Sequence, residues 1–171
     1  DQWVTLRDTV IKQFDVSGWL LQESATFAWV PTVTSVSRQA LFSGKAPYKF
    51  PKSIHTTSSE EKLWRQFWMD YGVAGPQVFY QKSLGIGSPN EIIETLSDHR
   101  IRAAGLVINT VDDIMHGMML GASGMHNQVS QWAGQGYLYL LVQALLENGF
   151  KVYLTSDHGN IEAEGRGKVN D

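Results

Sequence analysis

The stretch AAGLVINTVDDIMH, residues 103–116, carries the strongest indication of the fold. Its first part, through Asn109, is apolar and rich in β-forming residues, which predicts a buried strand. Its second part places carboxylates and an imidazole directly after that strand. Ligands of an open parallel sheet bind at the carboxyl ends of strands, because those ends share one edge. This stretch therefore predicts an α/β fold with a functional site at one edge of the sheet.

Two other apolar runs are followed by polar clusters in the same way. ATFAWV (25–30) leads into PTVTSVSR, and KVYLT (151–155) leads into SDHG. Between the apolar runs, helical periodicity predicts helices at 2–14, 35–42, 60–71, 89–96 and 134–148, and a short strand is expected at 77–81. We therefore predict one α/β domain over residues 1–171, with 25–30, 104–109 and 151–155 as parallel strands. Helices are expected on both faces of this central sheet, in a three-layer α/β/α arrangement.

Composition narrows the functional classes. The chain has 171 residues, of which 43% are hydrophobic and 18% are charged, as expected of a globular protein. A net charge of −3 gives no global sign of nucleic-acid binding, and the absence of cysteine excludes disulfides and thiolate metal sites. Neither a membrane-spanning run nor a signal peptide is visible, which favours a cytoplasmic location. The start at Asp1 and the polar end GRGKVND indicate an incomplete fragment of a longer protein.

The polar clusters contain side chains that bind divalent metals. Asp112 and His116 are four residues apart, so on a helical turn both point the same way, and Asp113 competes with Asp112 for that role. Asp157 and His158 are adjacent and can both act as ligands if the chain turns sharply between them, a turn that the following glycine permits. Carboxylate and imidazole ligands suit zinc, and also manganese or iron. A surface ion pair is the simpler interpretation of Asp112 and His116.

Thr34 lies where the first predicted strand meets a helix. A metal facing its hydroxyl would lower the pKa of that group and make it a nucleophile. The N-terminus of the same helix offers N–H groups to a phosphate oxygen. A threonine in this place is also a common helix cap, so Thr34 alone does not decide between the two roles. Three polar clusters after three apolar runs favour a shared site.

The motifs resemble those of a known family. Segment 31–47, PTVTSVSRQALFSGKAP, resembles the nucleophile segment P-T-x-T-x-P-N-x-x-x-x-x-T-G-x-x-P of alkaline phosphatase superfamily phosphodiesterases. It is more similar still to PglZ domains through the TSVSR sequence of residues 34–38. INTVDDIMHG (108–117) looks like the superfamily's N-x-x-D-x-x-x-H metal segment, and TSDHG (155–159) looks like its second metal signature. All three occur in order between about residues 24 and 164.

The resemblance implies an alkaline phosphatase-like fold and two divalent metal ions, with zinc expected and manganese as the alternative. Asp112 and His116 would hold one metal. Asp157, His158 and the Thr34 hydroxyl would hold the other, with Thr34 attacking phosphorus. Two further ligands of the family, an aspartate and a histidine, are expected outside residues 1–171.

The same resemblance suggests a substrate and a setting. Ser37 stands where the phosphodiesterases have asparagine, and the guanidinium of Arg38 could bind a phosphate oxygen, although a solvated helix residue is equally consistent with Arg38. PglZ domains occur in BREX-type phage defence, which implies a phosphodiesterase or nuclease working with other phage-defence proteins. A catalytically silent scaffold domain is the alternative, and a phosphomutase or sulfatase is a third.

Three other features have both a functional and a structural interpretation. Lys45, Lys49, Lys52 and His55 form a basic stretch, interleaved with Tyr48 and Phe50, that could bind nucleic acid but is more simply a solvated loop. His126 lies in a glycine-rich segment from which it could reach substrate. The aromatic residues of the predicted helix 60–71 are expected in the core.

Overall fold

The structure is a computed structural model that describes residues 2–30, 32–116 and 121–159. The described residues form a mixed α/β fold, with three α-helices before the first strand, one between the two strands and three after the second. The helices are α1 (Gln2–Val16), α2 (Thr34–Ser43), α3 (Glu60–Asp70), α4 (Asn90–Leu96), α5 (Thr110–His116), α6 (Gly121–Gly134) and α7 (Tyr137–Glu147), and the strands are β1 (Val78–Leu84) and β2 (Ala103–Ile108). No helix among the described residues is long and apolar enough to cross a membrane.

The two strands pair in parallel, and α4 lies between them in the chain. Val78 is opposite Ala103, and the register holds to the pair of Gln81 and Leu106 before it shifts. At the end of the sheet, the backbone N–H of Asn109 donates to the carbonyl of Leu84 over 3.0 Å. The predicted strands at 77–81 and 103–109 are therefore confirmed, and they form the parallel sheet of the described residues.

Most of the predicted helices are confirmed within two residues at each end. Residues 2–14, 35–42, 60–71 and 89–96 correspond to α1, α2, α3 and α4. Helix α2 ends where the sequence indicates. Gly44, which follows it, takes the left-handed conformation with φ of 61° that favours glycine after a helix. The predicted helix 134–148 is wrong in its extent: Gly136, with φ of 84°, separates α6 from α7.

Two predicted strands are not formed. Residues 25–30 and 151–155 have no regular secondary structure, which corrects their assignment as strands of a sheet. Much of their apolar surface faces solvent, since Phe27 is fully exposed and Val30 and Tyr153 are largely exposed, whereas Val152 packs against the hydrophobic core. An apolar run forms a strand only when a neighbouring strand satisfies its N–H and C=O groups, and a local pattern does not reveal whether that neighbour exists.

A hydrophobic core lies between α1, α4, α6, α7 and one side of the sheet. Its buried members include Val10, Phe14, Ile92, Trp132, Leu138 and Leu141. Alternate residues of β2, namely Ala104, Leu106 and Ile108, pack against this core. Residues that alternate along a strand point to one face, so this core covers one face of β2.

The aromatic residues of α3 meet the other face of the sheet. The Trp64 ring packs edge-on against Phe42 at 5.5 Å between centroids, and its Nε1–H donates to the carbonyl of Phe79 over 2.8 Å. The expectation that these aromatics belong to the core holds in part, because Trp64 is half-buried and packs on Phe42, whereas Tyr71 at the end of the segment is exposed.

Gly105 is the position in β2 where this packing leaves no room for a side chain. A Cβ atom there would lie 2.9 Å from the Trp64 ring and 3.2 Å from Phe42. We expect Gly105→Ala to lower the free energy of unfolding by about 1–3 kcal/mol, because a well-packed core does not yield to an added methyl group. Urea denaturation monitored by tryptophan fluorescence measures this change.

A matched glycine provides the control. A Cβ atom at Gly134, at the end of α6, would meet nothing within 4 Å. Gly134→Ala is therefore expected to leave the stability unchanged or to raise it by up to about 1 kcal/mol, as alanine does in a helix. Equal stability of the Gly105→Ala variant and the unaltered protein would contradict the packing described for β2.

Candidate active site

Thr34 is the first residue of α2, and the chain turns sharply into the helix at this point. The preceding Val33 is extended, with φ of −109° and ψ of 144°, and its carbonyl accepts from the N–H groups of Val36 and Ser37 over 3.0 Å each. The Thr34 side chain is half-buried. Its hydroxyl is thus fixed at a helix N-terminus, where the partial positive charge favours anions.

The Thr34 hydroxyl contacts a histidine from the far end of the chain. Thr34 Oγ1 and His158 Nε2 are 3.0 Å apart, and the His158 side chain is only 17% exposed. His158 Nδ1 lies 2.8 Å from the carbonyl oxygen of Gly159, an acceptor, so Nδ1 carries the proton. In the neutral ring Nε2 therefore has a free lone pair, and the Thr34 hydroxyl donates to it. The predicted meeting of the 31–38 segment with the SDHG segment is present at these two side chains.

Asp157 lies beside this contact. Its Oδ1 accepts from the backbone N–H of His158 over 3.1 Å, and its Oδ2 is 3.6 Å from His158 Nε2. Within the part of the chain that the structure describes, the buried Oδ2 atom has no hydrogen-bond partner. A buried carboxylate oxygen without a partner is costly, and a cation relieves that cost. Asp157, His158 and Thr34 together offer the oxygen and nitrogen ligands that zinc or manganese takes.

Asp112 and His116 form a separate pair on α5. His116 Nε2 lies 3.5 Å from Asp112 Oδ1, so the two side chains share a helix face as the four-residue spacing predicts. Both are accessible, and the His116 side chain is 80% exposed. Asp113 is also exposed, so the choice between Asp112 and Asp113 stays open.

The four predicted ligands do not assemble into one cluster. Across residues 2–30, 32–116 and 121–159, no group of three or more histidine or carboxylate residues is arranged to hold a metal ion. The described structure therefore contains two separate pairs of candidate ligands, Asp112 with His116 and Asp157 with His158. The second pair also contacts the Thr34 hydroxyl through His158. A two-metal centre that uses both pairs stays a prediction.

Ser37 and Arg38 lie mostly below the surface, whereas a substrate would approach from the solvent. Ser37 is 3% exposed, and its hydroxyl has no hydrogen-bond partner among the described residues. Arg38 Nη2 donates to Glu60 Oε2 over 2.6 Å, with the Arg38 side chain 11% exposed and that of Glu60 fully buried. The structure thus gives Arg38 a protein partner, and the predicted contact of Ser37 and Arg38 with substrate stays untested.

Sequence reasoning missed the buried acid at the centre of this arrangement. Glu60 Oε2 also accepts from the Tyr80 hydroxyl over 2.5 Å, and burial together with that hydrogen bond raises the pKa of Tyr80. Glu60 joins α2, α3 and β1. The helical phase could have found it, because Glu60, Trp64 and Phe67 are spaced by four and three and so share the inward face of α3.

Gln39 is a second missed residue. It is completely buried, and its side-chain Nε2 lies within 2.9 Å of the carbonyl oxygens of Ser35, Ser53 and Thr56. Ser35 adds a bond from its hydroxyl to the carbonyl of Ile54 over 2.8 Å. These bonds fix the loop before α3 against the first turn of α2. No local sequence pattern indicates a contact of this kind.

His126 has a structural partner. Its Nδ1 is hydrogen-bonded to the Thr5 hydroxyl, a contact that joins α1 to α6. This contact accounts for the partly buried ring without a substrate. The expected role of His126 near substrate therefore has no support among the described contacts.

Comparison with known proteins identifies the family of this chain. The family model that matches the chain describes an alkaline phosphatase-like domain, and the match covers residues 1–171. The chain belongs to the PglZ family, described as the BREX system PglZ alkaline phosphatase-like domain. No curated protein and no solved structure gives a significant match. The resemblance inferred from the three motifs is thus confirmed.

Proposed function

We propose that this chain is a metal-dependent phosphoesterase that cleaves phosphodiesters, with Thr34 as the nucleophile. The observation that carries the proposal is the 3.0 Å contact between Thr34 Oγ1 and His158 Nε2 at the N-terminus of α2. It joins the two motifs that the family uses for its nucleophile and for a metal. Membership of an alkaline phosphatase-like family supports hydrolytic chemistry.

The proposed reaction assigns one task to each side chain. Thr34 Oγ1 loses its proton to solvent and bonds to phosphorus while the ester P–O bond on the opposite side breaks, and the departing oxygen takes up a proton and leaves as an alcohol. Water then attacks phosphorus, breaks its bond to Thr34 Oγ1 and restores the hydroxyl. The N–H groups of the first turn of α2 bind a non-bridging oxygen. Asp157 and His158 would hold one divalent metal next to Thr34, and Asp112 and His116 would hold the other. When bound, the metals lower the pKa of the hydroxyl and neutralise charge on the phosphoryl group.

The fold proposed for this function is a three-layer α/β/α sandwich. The two faces of β2 support it, because Gly105 faces Trp64 and Phe42 while Ala104, Leu106 and Ile108 pack against the other core. Helices on both faces leave the edge at the strand ends open to ligands. The BREX description of the family favours a role in phage defence together with other proteins of such a system.

Hydrolysis of a chromogenic phosphodiester tests the activity. We expect the intact protein to cleave it with zinc or manganese present, to lose the activity in EDTA and to regain it when the metal is restored. A protein that binds metal but cleaves no phosphodiester under any of these conditions would favour the alternative of a silent scaffold domain.

Metal binding itself can be measured independently of activity. Asp157→Asn removes the carboxylate charge whose Oδ2 lacks a partner, and we expect it to weaken zinc or manganese binding by at least about tenfold in calorimetric titration. Asp15→Asn removes an equal charge from an exposed site on α1 and is expected to bind metal as the unaltered protein does. Identical affinities for both variants would show that Asp157 is not a ligand.

A further inference from the structure

The loop between α2 and α3 is basic throughout. We call residues 45–59, KAPYKFPKSIHTTSS, the basic loop; it contains three lysines and a histidine and no carboxylate. Lys45 is paired with Asp70 over 3.2 Å, whereas Lys49, Lys52 and His55 are exposed. Lys49 and Lys52 are therefore two exposed cations of this loop without a carboxylate partner among the described residues.

One aromatic ring of the basic loop is available to a ligand and the other is not. Tyr48 is 74% exposed, and Lys49 Nζ lies 5.0 Å from the centre of its ring. Phe50 is buried, so of the two interleaved rings Tyr48 is the one that a base could stack on. An exposed ring next to a cation is the combination with which single-stranded nucleic acid is bound, since every base can stack and every nucleotide carries a phosphate.

The basic loop is fixed to the helix that carries Thr34. Gln39 bonds to the carbonyl groups of Ser53 and Thr56, and the Ser35 hydroxyl bonds to the carbonyl of Ile54. The buried Phe50 holds the loop against the protein between Lys49 and Lys52, and the ion pair of Lys45 with Asp70 lies at the start of the loop. The loop is thus attached at several points along its length, and it is preorganised without any ligand.

This attachment places the Ile54 end of the basic loop beside the residue that follows the proposed nucleophile. Ile54 touches Ser35, which follows Thr34 in the chain, and His55 follows Ile54. His55 and Thr34 are each one residue from the contact between Ser35 and Ile54, which joins the basic loop to α2. One residue corresponds to about 3.8 Å between successive Cα atoms. The phosphates next to a cleaved bond in a nucleic-acid strand would fall on this side of α2.

We propose that the basic loop binds single-stranded nucleic acid, with Lys49 and Lys52 contacting phosphates that flank the scissile one and Tyr48 stacking on a base. This inference rests on the proposed phosphodiesterase function and names its substrate class. A small diester occupies only the Thr34 site, whereas a strand extends along the basic loop. An acidic protein surface would satisfy the lysines but would leave the Tyr48 ring without a stacking partner.

Fluorescence anisotropy of a labelled single-stranded oligothymidylate tests this with the intact protein in EDTA, where cleavage is prevented. The K49Q/K52Q double variant is expected to bind at least about tenfold more weakly at low salt. Its plot of log affinity against log salt should be shallower by about 1.4, since each phosphate contact on a single strand contributes ~0.7. Tyr48→Ala should weaken binding about fivefold or more through lost stacking.

The controls separate this inference from the proposed function. K12Q/K82Q removes two exposed lysines elsewhere and is expected to leave both affinity and salt dependence unchanged. The K49Q/K52Q variant should still cleave the small chromogenic diester at the rate of the unaltered protein. If the intact protein cleaves no diester yet loses oligonucleotide binding in K49Q/K52Q, the proposed function fails and the binding inference stands.

Two results would overturn the inference. One is unchanged oligonucleotide affinity in the K49Q/K52Q variant. The other is equal or tighter binding of a duplex of the same length by the unaltered protein, because stacked and paired bases do not offer a face to Tyr48.

Discussion

Thr34→Ala is expected to lower the rate of phosphodiester cleavage by at least about a hundredfold, because loss of a nucleophile removes the covalent route altogether. The structure gives the Thr34 hydroxyl a place that no neighbouring hydroxyl shares: it is at the first position of α2 and bonded to His158 Nε2. Thr34→Ser keeps the oxygen and should retain part of the activity. Steady-state cleavage of a chromogenic diester with zinc or manganese measures all variants.

Two neighbouring hydroxyls provide matched controls for this prediction. The Ser35 hydroxyl donates to the carbonyl of Ile54, so Ser35→Ala should cost about 1 kcal/mol of stability rather than the activity. The Ser37 hydroxyl is buried, and Ser37→Ala should also lower the rate far less than Thr34→Ala. Circular dichroism establishes that each variant is folded before its rate is compared.

The pattern of rates identifies the nucleophile. An active Thr34→Ala variant together with an inactive Ser35→Ala variant would show that the assignment is wrong by one residue. Full activity in every variant would instead show that no side-chain hydroxyl attacks phosphorus, and that water does.

The helices could be predicted from the sequence because their signals are local. Gly44 ends α2 as its sequence indicates, and the apolar spacing of α1 and α3 defines which side of each helix is buried. The helix predicted at 134–148 starts three residues before α7, and α6 was not predicted because the sequence of its first half, GASGMHNQ, is rich in glycine. Gly136, in the left-handed conformation, separates α6 from α7.

The strands were harder to predict because a strand depends on its neighbour. Residues 103–108 form β2 because β1 lies beside them and supplies hydrogen bonds. Residues 25–30 and 151–155 are also apolar but have no regular secondary structure, and most of their large apolar side chains are exposed. Composition indicated which segments could be strands, and only pairing decides which of them are.

The candidate site was predictable where the chemistry belongs to a motif. The sequence placed Thr34 together with the SDHG segment, and the structure has Thr34 in contact with His158. The helical phase of α3 places Glu60 on the inward face, but no sequence pattern indicates that its partner there is Arg38. The contact joins residues 22 positions apart and depends on how α2 packs on α3.

That buried acid leads to the largest expected effect on stability. Glu60→Ala is expected to lower the free energy of unfolding by about 3–5 kcal/mol, because it leaves the nearly buried Arg38 guanidinium without a counter-charge. The Tyr80 hydroxyl also loses its acceptor. Urea denaturation measures the change. Glu61→Ala is the matched control: Glu61 is exposed, its bond to Arg65 spans 2.9 Å on the surface, and such pairs contribute at most about 1 kcal/mol.

A double variant separates the cost of an unpaired charge from the value of the pair. Arg38→Met with Glu60→Leu removes both charges and fills the space with apolar atoms, so it should recover most of the stability that Glu60→Ala alone loses. If the double variant is as unstable as Glu60→Ala, the loss comes from altered packing of α2 on α3. If Glu60→Ala is as stable as Glu61→Ala, the carboxylate of Glu60 does not compensate Arg38 in solution, and the buried ion pair is refuted. The expected order of stability is therefore unaltered protein, double variant and Glu60→Ala, with Glu61→Ala close to the unaltered protein.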